Sequence, residues 1–424
     1  MQDKTTPDST SQSATPQSAT DVDTSHRSAF LEPLYRRYFP QACFSTLGSW
    51  LLRFLFGWSA WELTHSAWWV GVVAGVMLLP TFLLSPVFGI VSDRINPRNG
   101  LVVTLALHGV IAAAAAAISG IGALDVRWLV ILAASMGAVT SAHTPIRLAL
   151  VPLMVSRRAL PSAIGLSAMV FNAARILGPA VGAVVVARYS VTAAFMLSVA
   201  MFCIALPILM SIRVERPISP RTPSSFGKEL VGGMRYAAGH PVIRFVLGLT
   251  LINGLLGRTL LELLPAFSGQ LLDGRAQTLA ILSGAGGAGS ILGGLIVSRQ
   301  GGSDLRLLRL VMMCLLLASL CLLSVQWLSG LYAFVLLIFV LSMITTMVGT
   351  SSQALAQLLV DEHFRGRVLS LWTVLAMGAP AVGAMLIGAL AQQFGFPAVT
   401  LCAGLLAMLL LMPMGYRMWQ REPS

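Results

Sequence analysis

The chain has 424 residues, 56% of them hydrophobic and only 10% charged, with a positive mean hydropathy. A soluble protein carries about 25% charged residues, so most of this surface faces something other than water and a soluble fold is excluded. The net charge of +12 does not mark a nucleic-acid binder either, because the arginines are scattered over short polar segments rather than gathered into one patch.

Met1 to Ser28 is rich in Ser, Thr, Asp, Gln and Pro and has no apolar core. It reads as a disordered tail rather than a signal peptide, and the tail is assigned residues 1–38. A helix needs about 20 apolar residues to cross a bilayer. Twelve stretches meet that need: Pro40–Leu63, Ala67–Val91, Asn99–Ile121, Val126–Val151, Pro161–Val186, Val191–Ile212, Val242–Pro265, Gln277–Val297, Leu307–Trp327, Leu331–Ser352, Val368–Gln392 and Pro397–Trp419. Six fall in residues 39–212 and six in 242–419. The polar segment 213–241 between them, with Arg213, Arg216, Arg221, Lys228 and Arg235, reads as a connector, and 420–424 as a second tail. The expected fold is all-α and integral to the membrane, with twelve transmembrane helices in two six-helix bundles.

Orientation follows from the basic residues. The side of the tails and even-numbered loops holds 22 of the 28 Lys and Arg; the other loops hold Arg127, Arg188 and Arg275, and Arg53, Arg175 and Arg258 lie within spans. The positive-inside bias therefore places both termini in the cytoplasm. The five cysteines all lie in apolar runs without paired spacing, so they read as small buried hydrophobes, with no metal or disulfide framework. No nucleotide-binding loop is present: Gly284-Ala-Gly-Gly lies in a span and lacks a following Lys-Ser/Thr. No cofactor is expected.

The two halves read as copies. Gly89-Ile-Val-Ser-Asp93-Arg94 ends the second span and Gly294-Leu-Ile-Val-Ser298-Arg299 ends the eighth. Gly178-Pro-Ala-Val-Gly-Ala183 in the fifth span matches Ala379-Pro-Ala-Val-Gly-Ala384 in the eleventh. The offsets are 205 (Gly89 to Gly294) and 201 (Gly178 to Ala379), close to half the chain. Repeated halves enclosing a site near the bilayer midplane are a transporter architecture.

Gly89-x-x-x-Asp93-Arg94-x-x-x-Arg98, between spans two and three, resembles the signature loop of the major facilitator superfamily. Gly178-Pro179-x-x-Gly182 resembles the antiporter motif of its exporters. Asn172-x-x-Arg175-x-x-Gly-Pro179, Pro80 and Arg365-Gly-Arg-Val-x-Ser370 resemble the branch containing the enterobactin exporter and macrolide efflux proteins. The resemblance covers about Phe39 to Arg417. It implies a multi-pass transporter of the bacterial cytoplasmic membrane, with the fold of that superfamily, working as a monomer. Two departures stand out: Ser298 replaces the acid in the second copy of the loop, and span four holds no arginine before Arg147.

Several residues are candidates for function. Gly89, Asp93, Arg94 and Arg98, with Arg365 and Arg367 before span eleven, are the expected gate. A carboxylate is stabilised near arginines and a helix N-terminus, so Asp93 would latch the halves; the alternative is a solvated turn acid. An intramembrane charge is expensive unless it faces a cavity or a partner, which singles out Arg53, Arg175 and Arg258. With Asn172 they form the expected substrate site. Arg258 and Glu262 stand at i and i+4, so a structural ion pair is the alternative there, as helix packing is for Arg175 and an interfacial position for Arg53. Glu262, then Glu62, are the expected proton carriers; His108 and His143 read as relays or as structural residues. Three arginines against essentially one internal acid favour an anionic solute.

The reading is a secondary active exporter of a small anionic or amphiphilic, siderophore-like compound, driven by proton antiport. Its partners are that solute, protons and the lipid bilayer, with no nucleic acid. The alternatives are broad, macrolide-type drug efflux and a membrane sensor or scaffold that transports nothing. No metal cluster or nucleophile–base constellation suggests an enzyme.

Overall fold

The computed structural model describes residues 28–156, 158–214, 235–299, 304–360 and 362–419. Residues 1–27, most of the expected connector (215–234) and the tail 420–424 lie outside the described residues. α1 (Pro33–Thr64) begins at a proline, whose fixed φ and missing N–H suit a first helical turn, so the helix starts within the stretch assigned to the tail. It ends at His65, in the left-handed region at φ 45. α2 (Ala67–Arg94) follows. Polar side chains then start three helices by accepting from free backbone N–H groups: Asn96 before α3 (Pro97–Gly120), Asp125 before α4 (Val126–Leu150) and Ser190 before α6 (Val191–Met210). α5 (Leu160–Arg188) lies between the last two.

The second half opens with a broken span. Pro241–Ile252, the π-turn Asn253–Arg258, Thr259–Glu262 and Leu264–Leu271 run on from one another and together form α7. α8 (Ala276–Arg299), α9 (Asp304–Ser324) and α10 (Leu331–Leu358) follow. The run Glu362–Trp419 is two helices that break at Gly395, whose φ of 78 and ψ of 156 only glycine adopts freely; 362–394 is α11 and 396–419 is α12. Among the described residues nine segments are long and apolar enough to cross a membrane, and one of them, Leu371–Pro413, holds both α11 and α12. Neither α1, rich in Trp, Ser and Gly, nor α2, in which Ala67–Thr81 counts only as a shorter apolar helix, is among the nine. Large apolar side chains point outward, among them Val110, Met313 and Leu409, each more than 60% exposed. That is the reverse of a soluble surface and suits contact with lipid.

The repeat visible in the chain is a repeat in space. In the first half α5 presses on α1: a Cβ on Gly182 would stand 2.8 Å from Leu51 and from Phe54. In the second half α11 presses on α7: a Cβ on Gly383, the matching residue, would stand 2.1 Å from Thr259 Oγ1. Phe56 on α1 meets Phe195 on α6 at 5.9 Å, and Phe267 on α7 meets Phe396 on α12 at 5.4 Å. Phe195 and Phe396 are again 201 residues apart. Small residues allow such close backbone approach where lipid supplies no hydrophobic drive between helices.

The halves meet along α1 with α7, α2 with α11, and α5 with α8. We call the end of the molecule with the α1–α2 turn the loop end. There the Ala67 N–H donates to Gln392 Oε1 at 2.8 Å, and a Cβ on Gly71 would stand 2.4 Å from the Ala384 carbonyl oxygen. Deeper in, Ile176 of α5 fills the space left by Gly287 of α8.

Candidate functional site

α1 and α7 run side by side in the same direction, and three contacts repeat along them. Trp61 lies against Gly269, Gly57 faces Pro265 and Arg53 pairs with Glu262. The steps are four residues on α1 and three or four on α7, so one face of each helix makes all three contacts. The Arg53–Glu262 ion pair is the deepest of these rungs. Its side chains keep 27% and 12% of their surface exposed, so the pair is largely but not fully buried. The Arg53 guanidinium also lies 5.7 Å from the ring centre of Trp50, a cation–π contact.

The pairing corrects one alternative from the sequence. Regular i,i+4 geometry predicts Glu262 beside Arg258, yet its carboxylate takes Arg53 from the other half. The backbone explains this. Thr259 Oγ1 donates to the Gly254 carbonyl five residues back, at 2.9 Å, within a π-turn that ends at Arg258. The helix then breaks at Leu263, ahead of Pro265, so Glu262 ends a four-residue piece and turns toward α1. Among the described residues Arg258 forms no ion pair. π-turns recur at functional sites.

Arg175 comes from α5, which Gly178 and Gly182 hold close to α1: a Cβ on Gly178 would stand 2.8 Å from Trp50. Pro179 lies inside the helix. Phe171 sits edge-on to Trp50 at 5.4 Å and ties the same two helices one turn lower. The Nε and Nη2 atoms of Arg175 are buried and have no hydrogen-bond partner among the described residues. Asn172, one turn away, donates a side-chain N–H to the Ala168 carbonyl at 2.9 Å.

These groups form one electrostatic cluster. Arg175 interacts with the charges of Arg258 and Glu262, and Arg258 with those of Glu262 and Arg53. Among the described residues, three guanidinium groups against one carboxylate leave two positive charges uncompensated. The cluster stands where the halves meet. An unpartnered guanidinium fork there is suited to a carboxylate or phosphate.

Two further residues of these helices escaped the reading of the sequence. Trp50 faces both Arg53 and Phe171. Asn253 is buried in the π-turn, donating to the Thr345 carbonyl at 3.3 Å while its Oδ1 lacks a partner among the described residues. A lone Asn in an apolar span followed by Gly254 and Gly257 was the available signal.

Other candidates lie elsewhere. Glu62 is exposed at the loop end, in a cavity of about 490 Å³ that Trp58, Trp61, His65 and Asp273 also line. His108 and His143 come together away from the arginines: Thr104 Oγ1 is 3.1 Å from His143 Nδ1, and His108 Nδ1 is 2.9 Å from the Thr104 carbonyl. Arg98 stays within the first half. It donates to the Ile212 carbonyl at 3.0 Å and to that of Met210, capping the end of α6. Gly89 lies on α2, but the side chains of Asp93, Arg94, Arg365 and Arg367 are outside the described ones, so the geometry of the expected latch lies there too.

The comparisons with known proteins agree with this architecture. Residues 24–422 match the family model described as Transmembrane secretion effector. The chain belongs to that family, which makes it a major facilitator superfamily transporter. It is 22% identical over 362 residues to a Staphyloferrin A transporter of Staphylococcus aureus, covering 84% of this chain and 89% of that one. It is 23% identical over 342 residues to Macrolide efflux protein A of Streptococcus pyogenes, covering 79% and 83%. Among solved structures it superposes on the nucleoside transporter NupG with a TM-score of 0.70 at 13% identity, covering 93% of this chain and all of that one. A bacterial homologue of the lysosomal transporter Spinster gives 0.71 at 11% identity, covering 92% and 97%. Those likenesses establish the fold. The transporter acts on a small molecule within a membrane and is not an enzyme.

Proposed function

We propose that this transporter exports a small anionic or amphiphilic, siderophore-like compound against proton entry, by alternating access of the site between its halves. The observation that carries the reading is Arg175, with two buried nitrogens unpartnered inside a cluster of net positive charge. In this reading Arg53, Arg175, Arg258 and Asn172 hold the solute. Glu262 carries the proton, with Glu62 as the acid at the outer mouth. Asp93 latches the halves against the start of α11, beside Arg365 and Arg367. The distribution of basic residues supports cytoplasmic termini in a bacterial inner membrane, and the site lies within one chain, so a monomer suffices.

The relative named a Staphyloferrin A transporter supports a siderophore-like solute. The relative named a macrolide efflux protein, at similar identity, supports the second reading, broad drug efflux. Charge separates them. Comparing the small molecules released into the medium by cells with and without the protein tests the proposal. Enrichment of carboxylate or phenolate compounds is expected. Enrichment of neutral or cationic drugs alone supports the second reading, and no difference between the media overturns export altogether.

A further inference from the structure

Glu262 occupies a position that is costly to fill without purpose. Between halves that must separate, it spends its carboxylate on Arg53, one of the three arginines proposed to hold the solute. The pair is also the deepest rung of the α1–α7 seam, below Gly57–Pro265 and Trp61–Gly269. Among the described residues the charged groups placed to act on Glu262 are cationic: Arg53 from α1, Arg175 from α5 and Arg258 on its own helix. We infer that the Arg53–Glu262 pair is a lock on the empty carrier, opened either by an anion taking Arg53 or by a proton taking Glu262. This rests on the anionic solute proposed above.

The physical argument is one of competition. With neither ligand present, carboxylate and guanidinium satisfy each other, and separating α1 from α7 strands both charges in a site partly shielded from water. Stranding a buried partner is strongly unfavourable. An anion on Arg53 replaces the carboxylate, which stays near Arg258, and the rung can part. A proton on Glu262 removes the carboxylate's charge and the rung can part as well. Either ligand alone permits the swing between faces, while the empty, unprotonated carrier is held. An antiporter needs that rule, because a carrier that returns empty dissipates the gradient that drives it. The lock thus gives Glu262 a role as a tethered stand-in for the solute in addition to carrying the proton.

The test reads the seam directly. Spin labels at Thr64→Cys and Leu272→Cys, in a chain whose five native cysteines are replaced, report the loop-end distance in nanodiscs. Two ligands are applied separately: tricarballylate at neutral pH, and acid pH without any anion. The lock predicts a short distance in the unliganded, neutral protein and a longer population under either treatment. Glu262→Gln should show the longer population with neither, and should bind tricarballylate about tenfold more tightly, equivalent to about 1.4 kcal/mol. Glu262→Asp should restore the wild-type response. The lock is overturned if Glu262→Gln keeps the closed distance and the wild-type affinity. If tricarballylate binds neither protein while acid still opens only the wild type, the anionic solute and the anion-opened arm of the lock fall together, and the proton-opened arm stands.

Discussion

The indole of Trp61 occupies the space where Gly269 would carry a side chain: a Cβ there would stand 1.8 Å from Trp61 Cε2. This contact closes the α1–α7 seam at the loop end. Gly269→Ala should therefore disfavour the closed seam by about 1–3 kcal/mol, the usual scale of overpacking. Accessibility of a reporter cysteine at Thr64 to a membrane-impermeant reagent measures it. Adding Trp61→Ala to Gly269→Ala should restore the wild-type rate, and equal labelling of the wild type and Gly269→Ala contradicts the contact.

The repeat makes a second prediction. Gly182 and Gly383 do equivalent work in the two halves, so Gly182→Ala and Gly383→Ala should each lower stability by about 1–3 kcal/mol. Gly383 should be the costlier, since its Cβ would meet Thr259 Oγ1 at 2.1 Å and the Leu255 carbonyl oxygen at 2.8 Å. Thermal unfolding in detergent ranks them. A Gly383→Ala protein as stable as wild type would contradict the close approach of α11 to α7.

How much of this was legible in the chain differs from residue to residue. The spans, the halves and the three intramembrane arginines were readable, because a charge amid apolar residues and a motif repeated about 200 residues on are local signals. The partner of Glu262 was not. The i,i+4 rule assumes a regular helix, and the π-turn at Asn253–Arg258 with the break before Pro265 turns the carboxylate to another helix. Nothing in the chain singles out Trp50, whose place depends on Gly178 bringing α5 against it. Arg98 belonged to a recognisable loop motif, but its hydrogen bonds to the end of α6 depend on tertiary contacts that the spacing does not carry.

That placement of Arg98 separates two parts of the loop. Arg98→Ala should lower thermal stability, since hydrogen bonds from a charged donor are worth about 1.5–3 kcal/mol each when buried and less at a half-exposed site such as this. It should leave the transport rate per folded molecule unchanged. Asp93→Asn should do the reverse, slowing transport with little loss of stability. Unchanged transport and surface labelling in Asp93→Asn would remove Asp93 from the gate.

At the loop end the Thr278 side chain, by hydrogen bonding, holds the Asp273 carboxyl below the usual carboxylate range, helped by the Arg275 N–H and guanidinium. A depressed carboxyl stabilises the fold above its unfolded value, and that contribution is lost as pH falls through the folded one. Asp273→Asn should therefore melt below wild type at pH 7, with the gap closing below about pH 4. A gap that stays constant down to pH 3 would show that Asp273 does not act through its charge.

The central claim is that the cluster of Arg53, Arg175 and Arg258 takes an anion. Calorimetric binding of tricarballylate and of its uncharged trimethyl ester to purified wild type and Arg175→Ala tests it most directly. The account predicts that wild type binds the tricarboxylate and not the ester. It also predicts that Arg175→Ala weakens that binding about tenfold or more, the loss of one charge-assisted hydrogen-bond set. Equal binding of acid and ester, or an affinity untouched by Arg175→Ala, would contradict it.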